Sequence, residues 1–199
     1  MIFDGLQRGH YGAIYADPPW HFQAWGVGRW SGNHSFRQPD YQTMGVEQLA
    51  LLPVRDLAAP DCVLFCWGIW SMVPETLHLI RSWGFEFKSC AFVWTKADTT
   101  QLEMFEEFPN DGQWGLGFWT RQNSEYCLLA SRGSPKRLNA DVRQAIIEPR
   151  REHSRKPECV YGRIERLVAG PYVELFARTR RAGWDAWGNE VDKFAEAAE

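Results

Sequence analysis

A carboxylate followed by two prolines and a tryptophan, Asp17-Pro18-Pro19-Trp20, is the part of the sequence with the clearest chemical potential. An amine attached to an aromatic ring, such as the exocyclic amine of adenine, is a poor nucleophile because its lone pair is delocalised into the ring. The Asp17 carboxylate and the Pro18 carbonyl could accept its two N–H groups, and Pro18 has no N–H to compete. Consecutive prolines would hold that carbonyl fixed, as electrostatic catalysis requires. Trp20 would offer a face for a flipped-out base.

The same four residues also suit a structural role. The apolar run 11–16 stops at Asp17 as a buried strand does when a proline pair prevents further pairing in the sheet. A tryptophan that follows such a turn would then simply be buried. The sequence alone leaves both interpretations open.

Strands and helices alternate along the rest of the chain. Apolar runs predict strands over 11–16, 61–67, 85–95, 125–130, 142–147 and 172–177. Helical periodicity and end signals predict helices over 46–52, 71–83 and 156–168. This alternation is typical of an α/β fold with a mostly parallel sheet and helices on both faces. Residues 21–42 and 96–123 lack periodicity, and we expect them to form long functional loops.

The length and composition exclude several classes of protein. With 199 residues, 24% charged and 45% apolar, the chain is typical of one globular domain spanning 1–199 rather than a disordered or fibrous protein. No apolar run approaches the roughly 20 residues that a membrane helix needs, and the N-terminus shows no secretory signal. We therefore expect a cytoplasmic protein. Eleven tryptophans are too many for a core alone, so we expect some to line a pocket.

The cysteines and the charges bear on possible ligands. Five scattered cysteines without Cys-x-x-Cys spacing indicate reduced thiols, and we expect no metal site. The net charge is −3, but residues 121–166 carry 11 basic and 6 acidic side chains. Such a basic stretch can follow phosphates on an otherwise acidic protein. A solvated surface without a partner is the alternative.

In α/β sheets, ligands bind beyond the carboxyl ends of the strands. Two such ends stand out in this sequence: 11–16 leads into Asp17, and 172–177 leads into Arg178. We expect these two ends to lie close together in space.

With the Asp17-Pro18-Pro19-Trp20 motif, the sequence resembles the adenine-N6 methyltransferases named after the seventy-kilodalton subunit of the eukaryotic mRNA methyltransferase, in particular their compact bacterial and phage members. The matching segments follow the family order along nearly the whole chain: 15–20, 41–44, 65–68, 92–96, 115–121, 125–133, 153–158, 161–168, 174–178 and 187–189. The resemblance implies a Rossmann-like methyltransferase fold in which the catalytic motif precedes the cofactor segment. It also implies S-adenosylmethionine as the cofactor, with no metal.

The resemblance assigns roles by position. Asp17, Pro18, Pro19 and Trp20 resemble the catalytic motif, with Asp17 also close to the amino group of the cofactor. Lys156 resembles the lysine that meets the methionine carboxylate, although it could instead belong to a phosphate-facing basic run. The remaining cofactor-binding candidates lie on or after the last predicted strand: Glu174, Phe176, Arg178, Asn189 and Glu190. Glu174 could instead be a structural carboxylate paired with an arginine.

The substrate-binding candidates come from the predicted loops and the basic stretch. Tyr41 resembles a residue that packs near the point of methyl transfer, with a surface tyrosine as the alternative. Trp20 is joined by a set of cationic residues: Lys96, Arg150, Arg151 and Arg155.

The function that follows from the resemblance is transfer of a methyl group to N6 of adenine in nucleic acid. DNA is favoured over RNA because the sequence lacks the zinc fingers and docking extensions of the RNA enzymes. Three alternatives stay open: an RNA methyltransferase, a non-catalytic nucleic-acid-binding subunit and a small-molecule methyltransferase. We expect a monomer or a homodimer without membrane association.

Overall fold

A seven-stranded sheet runs through the part of the chain that the computed structural model describes, residues 2–21, 42–97, 119–120, 122–151 and 155–191. Its strands are β1 (Tyr11–Ala16), β2 (Ala58–Gly68), β3 (Glu86–Ala97), β4 (Ser124–Arg132), β5 (Ala145–Pro149), β6 (Tyr172–Leu175) and β7 (Trp184–Trp187). The helices are α1 (Val46–Ala50), α2 (Val73–Ser82) and α3 (Cys159–Leu167), and short 3-10 turns cover Val54–Asp56 and Trp70–Met72.

The strands lie side by side in the order β5-β3-β4-β2-β1-β6-β7. Four neighbouring pairs are parallel, namely β1 with β2, β1 with β6, β6 with β7 and β3 with β5. Only β4 runs against its neighbours β2 and β3. This arrangement confirms the predicted α/β fold with a mostly parallel, Rossmann-like sheet.

Helices cover both faces of the sheet. Leu49 of α1 and Leu79 of α2 pack into one buried cluster, whereas Ile164 of α3 packs into a second cluster on the other face. The central strand β1 contributes to both, with Ile14 in the first and Tyr15 in the second. A strand buried on both faces appears in a sequence as a continuous apolar run, which is why β1 was predictable. Within the described ranges, no helix has the length and apolar character needed to cross a membrane.

One strand was absent from the predictions. The four residues of β7, Trp184–Trp187, pair in parallel with β6 after a connection of only eight residues, 176–183. Such a short strand contains an exposed Asp185 and follows two arginines, so it lacks the apolar run on which the prediction depended. The predicted strand 172–177 ends earlier, at Leu175, because the chain turns at Phe176.

The strand directions create a shared edge. Since β4 alone is reversed, the other six strands all end at the edge of the sheet where β4 begins. Residues that follow a strand and residues that open β4 therefore lie near one another. We call this the carboxyl edge.

Gly12 in β1 allows the backbone just before β6 to pack closely against β1. A Cβ atom at Gly12 would lie 2.8 Å from the Ala169 carbonyl oxygen and 3.0 Å from that of Gly170. Both are backbone atoms, so they cannot rotate away, and overpacking of this kind costs about 1–3 kcal/mol. We predict that Gly12→Ala lowers the free energy of unfolding by that amount in urea denaturation.

Gly162 of α3 provides the matched control. A Cβ there meets no atom within 4 Å, and alanine favours a helix over glycine by about 0.5–1 kcal/mol. Gly162→Ala should therefore stabilise the protein. Equal effects of the two substitutions on the free energy of unfolding would contradict the conclusion that close backbone packing excludes a side chain at position 12.

Candidate active site

The carboxyl edge brings together four charged side chains from distant parts of the sequence. Asp17 follows β1, Lys96 lies near the end of β3, and Glu125 stands near the start of β4. Lys156 comes from the segment between β5 and α3. We refer to these four residues as the charge network.

The charge network alternates in sign. Lys156 Nζ lies 2.8 Å from Asp17 Oδ2 and 3.2 Å from Glu125 Oε2. Lys96 Nζ lies 2.5 Å from the other carboxylate oxygen of Glu125. Lys156 also sits 5.5 Å from the centre of the Trp67 ring, within the range of a cation–π interaction. Each largely buried charge therefore has a partner of opposite sign, as burial requires.

The protonation of the network follows from these pairs. Burial alone would raise the pKa of Glu125, but the charges of Lys156 and Lys96 outweigh it and lower that pKa. Burial alone would lower the pKa of Lys156, but Asp17 and Glu125 outweigh it and raise that pKa. Lys156 is therefore an ammonium and Glu125 a carboxylate at neutral pH.

The backbone of the proline motif is fixed by hydrogen bonds. The Trp20 N–H donates to the Pro18 carbonyl at 2.8 Å, and the Met44 N–H donates to the Pro19 carbonyl at 2.8 Å. The His21 N–H donates a hydrogen bond to the Met44 carbonyl at 3.1 Å. A carbonyl oxygen has two lone pairs, so the Pro18 oxygen retains the capacity to accept a second donor.

Trp20 differs from its prediction. Its side chain is only 4% exposed, and its indole N–H donates to the Trp67 carbonyl at 3.1 Å. This hydrogen bond and the pairing with Met44 hold the ring in the core, so it presents no open face to solvent. Trp20 nevertheless lines a small cavity beside the motif, and its contact with a base stays a prediction.

A small cavity of about 70 Å³ opens beside the motif. This volume is well below the roughly 300–1,000 Å³ of a whole ligand pocket, so the space accommodates a functional group rather than a nucleotide. Three members of the charge network line it, namely Asp17, Glu125 and Lys156. Its other lining residues include Pro18, Trp67 and Ile69.

A larger cavity of about 570 Å³ adjoins the small one. Asp17, Pro19 and Arg178 line both spaces, so the motif forms the boundary between them. With Asp17, five of the predicted cofactor-binding residues line the larger cavity, and Trp187 adds to its aromatic wall: Phe176, Arg178, Trp187, Asn189 and Glu190. Its volume is within the range of about 300–1,000 Å³ that ligand pockets occupy.

The turn after β6 shapes the larger cavity. Phe176 has a φ of +63°, a left-handed conformation that is rare for a bulky side chain. The Ala177 N–H donates to the Trp187 carbonyl at 3.0 Å, and a Cβ at Gly188 would lie 2.4 Å from the Ala177 carbonyl oxygen. Close approach of these two segments therefore requires glycine at 188 and holds Phe176 in its strained state.

Glu174 lies on β6 beneath this edge. Its carboxylate accepts a hydrogen bond from Tyr161 Oη at 2.8 Å, and Arg155 is close enough to interact with it electrostatically. Burial raises the pKa of Glu174 to about 7, against the effect of the Tyr161 hydrogen bond, and the nearby Asp17 charge adds to the rise. Glu174 does not appear among the residues lining either cavity.

The remaining predicted residues occupy different surroundings. Tyr41 lies outside the described residues. Lys96 is held by Glu125, and Arg150 is exposed beyond β5. Arg151 and Arg155 lie 3.5 Å and 3.4 Å from Glu158. Lys156 lines the small cavity rather than the larger one, and its contact with a cofactor carboxylate stays a prediction.

Glu125 is the site residue that sequence reasoning missed. The predicted site residues follow strands, whereas Glu125 lies at the start of a strand that is antiparallel and so begins at the carboxyl edge. A single carboxylate inside the apolar run of β4 was the available signal, since an ionised group is rarely buried without a partner. Among the described residues, no three His, Cys, Asp or Glu side chains are grouped so as to hold a metal ion.

The arrangement is suited to orienting an amine. A carboxylate and a fixed backbone carbonyl from adjacent residues can accept two N–H groups of one nitrogen at the boundary of the two cavities. A ligand in the larger cavity would then meet a group entering the small one, and such proximity is a major source of catalytic acceleration.

Comparisons with known proteins identify the family of the chain. The MT-A70 family model matches residues 11–190. The chain is 32% identical to the Type II methyltransferase M.MunI of a Mycoplasma species, over 96% of this chain and 82% of that protein. It is 28% identical to an N(6)-adenosine-methyltransferase MT-A70-like protein of Drosophila melanogaster and 27% identical to the human N(6)-adenosine-methyltransferase catalytic subunit METTL3. These matches cover 96% and 92% of this chain but only 28% and 29% of those longer proteins.

Removal of the central cation should destabilise the fold. Lys156→Gln would leave the Asp17 carboxylate without its cation and Glu125 with Lys96 alone, and breaking a buried ion pair costs about 3–5 kcal/mol. We predict a loss of that size in the free energy of unfolding, measured in urea.

The control for Lys156 is an exposed pair on α3. Arg166→Gln breaks the 2.7 Å contact with Asp141, where both side chains are more than half exposed, and should cost about 1 kcal/mol or less. If Lys156→Gln were no more destabilising than Arg166→Gln, the charge network would not be stabilising the edge.

Glu174 should make stability depend on pH. Its pKa is raised from 4.5 to about 7 on folding, so the folded state binds more protons than the unfolded state between these values. Stability therefore falls as pH rises through this window, by about 3 kcal/mol or less. The glutamine side chain of Glu174→Gln is uncharged at every pH. The free energy of unfolding of this variant, taken relative to that of the wild type, should therefore rise between about pH 5 and pH 8. Urea unfolding at several pH values measures this difference, and a constant difference would contradict it.

Proposed function

The chain belongs to the MT-A70 family of methyltransferases, and we propose that it uses S-adenosylmethionine to methylate the N6 amine of adenine in DNA. The observation that carries the proposal is the boundary between the two cavities, which Asp17, Pro19 and Arg178 share. A methyl donor on one side and an amine on the other would meet at this motif.

The larger cavity suits S-adenosylmethionine in its chemistry as well as in its volume. Asp17 offers a carboxylate for an ammonium group, while Asn189 and Glu190 offer acceptors for ribose hydroxyls. Phe176 and Trp187 offer apolar ring surface for a purine. When bound, S-adenosylmethionine supplies a methyl group activated by a positively charged sulfur.

The residues of the motif act on the acceptor amine. The Asp17 carboxylate and the Pro18 carbonyl each accept one N–H, which draws electron density toward the nitrogen and directs its lone pair to the boundary of the cavities. The nitrogen would form a bond to the methyl carbon as the bond from that carbon to the sulfur breaks and leaves its electron pair on the sulfur. The nitrogen would then release one proton, which Asp17 is placed to accept. Lys156 and Glu125 keep the Asp17 carboxylate oriented through the charge network.

The identity of the nucleic acid rests on the relatives. The names of the Drosophila and human proteins support N6 of an adenine base as the acceptor. DNA is proposed because the Mycoplasma relative, most of whose length the chain covers, is a type II methyltransferase. Methylation confined to RNA would correct this part of the proposal and leave the reaction in place.

Asp17 provides the test of the reaction. We predict that Asp17→Ala lowers the rate of methyl transfer about 100-fold or more, the loss typical for one preorganised polar group, while the affinity for S-adenosylmethionine falls only about 10-fold, because Asp17 is one of several groups that contact it. Transfer of labelled methyl to DNA measures the first quantity and calorimetry the second. Asp141→Ala, which removes an exposed carboxylate paired with Arg166, is the matched control and should leave both unchanged. Retained turnover in Asp17→Ala would contradict the assigned role.

A further inference from the structure

The two cavities extend to different sides of Asp17. The larger cavity is lined by Phe176, which follows β6, and by Trp187, the last residue of β7. The small cavity is lined by residues 67–68 at the end of β2 and by Glu125 of β4. In the sheet, β1 lies between β2 and β6. A cofactor in the larger cavity therefore occupies the β6–β7 side of Asp17 and leaves the β2–β4 side to the substrate.

An exposed tryptophan lies at the rim of the small cavity on the β2–β4 side. Trp70 is the second residue after β2 and is 44% exposed. Its indole N–H donates to Ser124 Oγ, at the start of β4, at 3.1 Å. Ile69, which precedes Trp70, and Glu125, which follows Ser124, both line the small cavity. The indole therefore bridges β2 and β4 directly beside this cavity.

A buried support fixes the orientation of the Trp70 ring. The ring packs edge-on against Tyr126, with 4.9 Å between the ring centres, and Tyr126 is only 1% exposed. The Tyr126 hydroxyl lies within hydrogen-bond distance of Thr76 Oγ1, at 2.9 Å. Gly68 makes room for Tyr126, because a Cβ there would lie 2.5 Å from the hydroxyl oxygen and 2.6 Å from two ring atoms. The Trp70 ring is thus ordered before any ligand binds, which lowers the entropy that binding costs.

The position of Trp70 indicates which base it would meet. The small cavity, at about 70 Å³, has room for the amine of one base but not for the bases beside it. Trp70 does not itself line this cavity. A base in contact with its ring would therefore be a neighbour of the target adenine. Every base has an aromatic face, so an aromatic side chain can stack on a base of any type.

We propose that Trp70 stacks on the nucleobase next to the target adenine and so holds the DNA strand on the β2–β4 side of the carboxyl edge. This inference rests on the proposed function, since it concerns how the same site holds its substrate. The contact is uncharged and depends on the aromatic face of the indole. It should therefore require a base in the DNA but not its phosphates.

Strands with and without bases separate stacking from phosphate binding. Two fluorescein-labelled single strands of equal length are compared by anisotropy. One is DNA of mixed sequence containing adenine, and the other carries stable abasic residues throughout, with the same number of phosphates. For Trp70→Ala we expect roughly 5- to 100-fold weaker binding of the mixed-sequence strand and unchanged binding of the abasic strand. Trp70→Phe should restore most of the lost affinity, whereas Trp70→Leu, which restores apolar volume without an aromatic ring, should not.

Phe87→Leu is the matched control. Phe87 is 43% exposed, nearly the same as Trp70, but it lies near the start of β3 and so at the opposite edge of the sheet. This variant should bind both strands as the wild type does. Calorimetry with S-adenosylmethionine should give wild-type affinity for all of these variants.

Equal weakening of both strands by Trp70→Ala would overturn the inference, since the ring would then act only through the fold. Wild-type affinity of Trp70→Ala for the mixed-sequence strand, or full rescue by Trp70→Leu, would overturn it too. So would a loss of S-adenosylmethionine affinity as large as the loss of DNA affinity, because Trp70 would then serve the cofactor.

Methyl transfer by the wild type is measured separately, so that the two proposals can fail independently. Its absence alongside the expected binding pattern would reject the proposed function and leave the stacking contact. Its presence together with wild-type binding by Trp70→Ala would reject the inference alone.

Discussion

The contact of Lys156 with Asp17 and Glu125 is the interaction on which the rest of the site depends. Two carboxylates at the same edge of a sheet repel each other, and their burial is tolerated only with a cation between them. Lys156 supplies that cation from the segment before α3, and Lys96 supplies a second one from β3. The ion pairs thus join three strands and the approach to α3 at the point where the Asp17-Pro18-Pro19-Trp20 motif begins.

Reversal of a single strand makes this network possible. Because β4 is antiparallel to β2 and β3, its first residues lie where its neighbours end, and Glu125 reaches Lys156 and Lys96. The same edge holds the strained turn at Phe176 and the close contact at Gly188 that shape the larger cavity. Strain at a turn that lines a cavity is consistent with a functional site, where packing elsewhere offsets its cost.

Local sequence patterns predicted the features that neighbouring residues determine, namely strands and turns. The apolar run before Asp17 predicted β1, and the proline pair predicted the turn that follows it. The sequence could not predict pairings that depend on topology, so Glu125 was missed and Tyr161 was not expected as a donor to Glu174. Trp20 has the residue type of a stacking surface, and its indole hydrogen bond to Trp67 places it in the core. Residue type therefore indicated a chemistry, whereas strand order determined which side chains meet at the carboxyl edge.

The central claim is that the boundary of the two cavities transfers methyl groups to N6 of adenine in DNA. The most direct measurement is nucleoside mass spectrometry after incubation of the protein with S-adenosylmethionine and separate pools of single-stranded DNA, duplex DNA and RNA. The account predicts N6-methyladenine in a DNA pool as the methylated base. A methyl group on another base, or no methylated nucleoside in any pool despite measurable binding of S-adenosylmethionine, would contradict it.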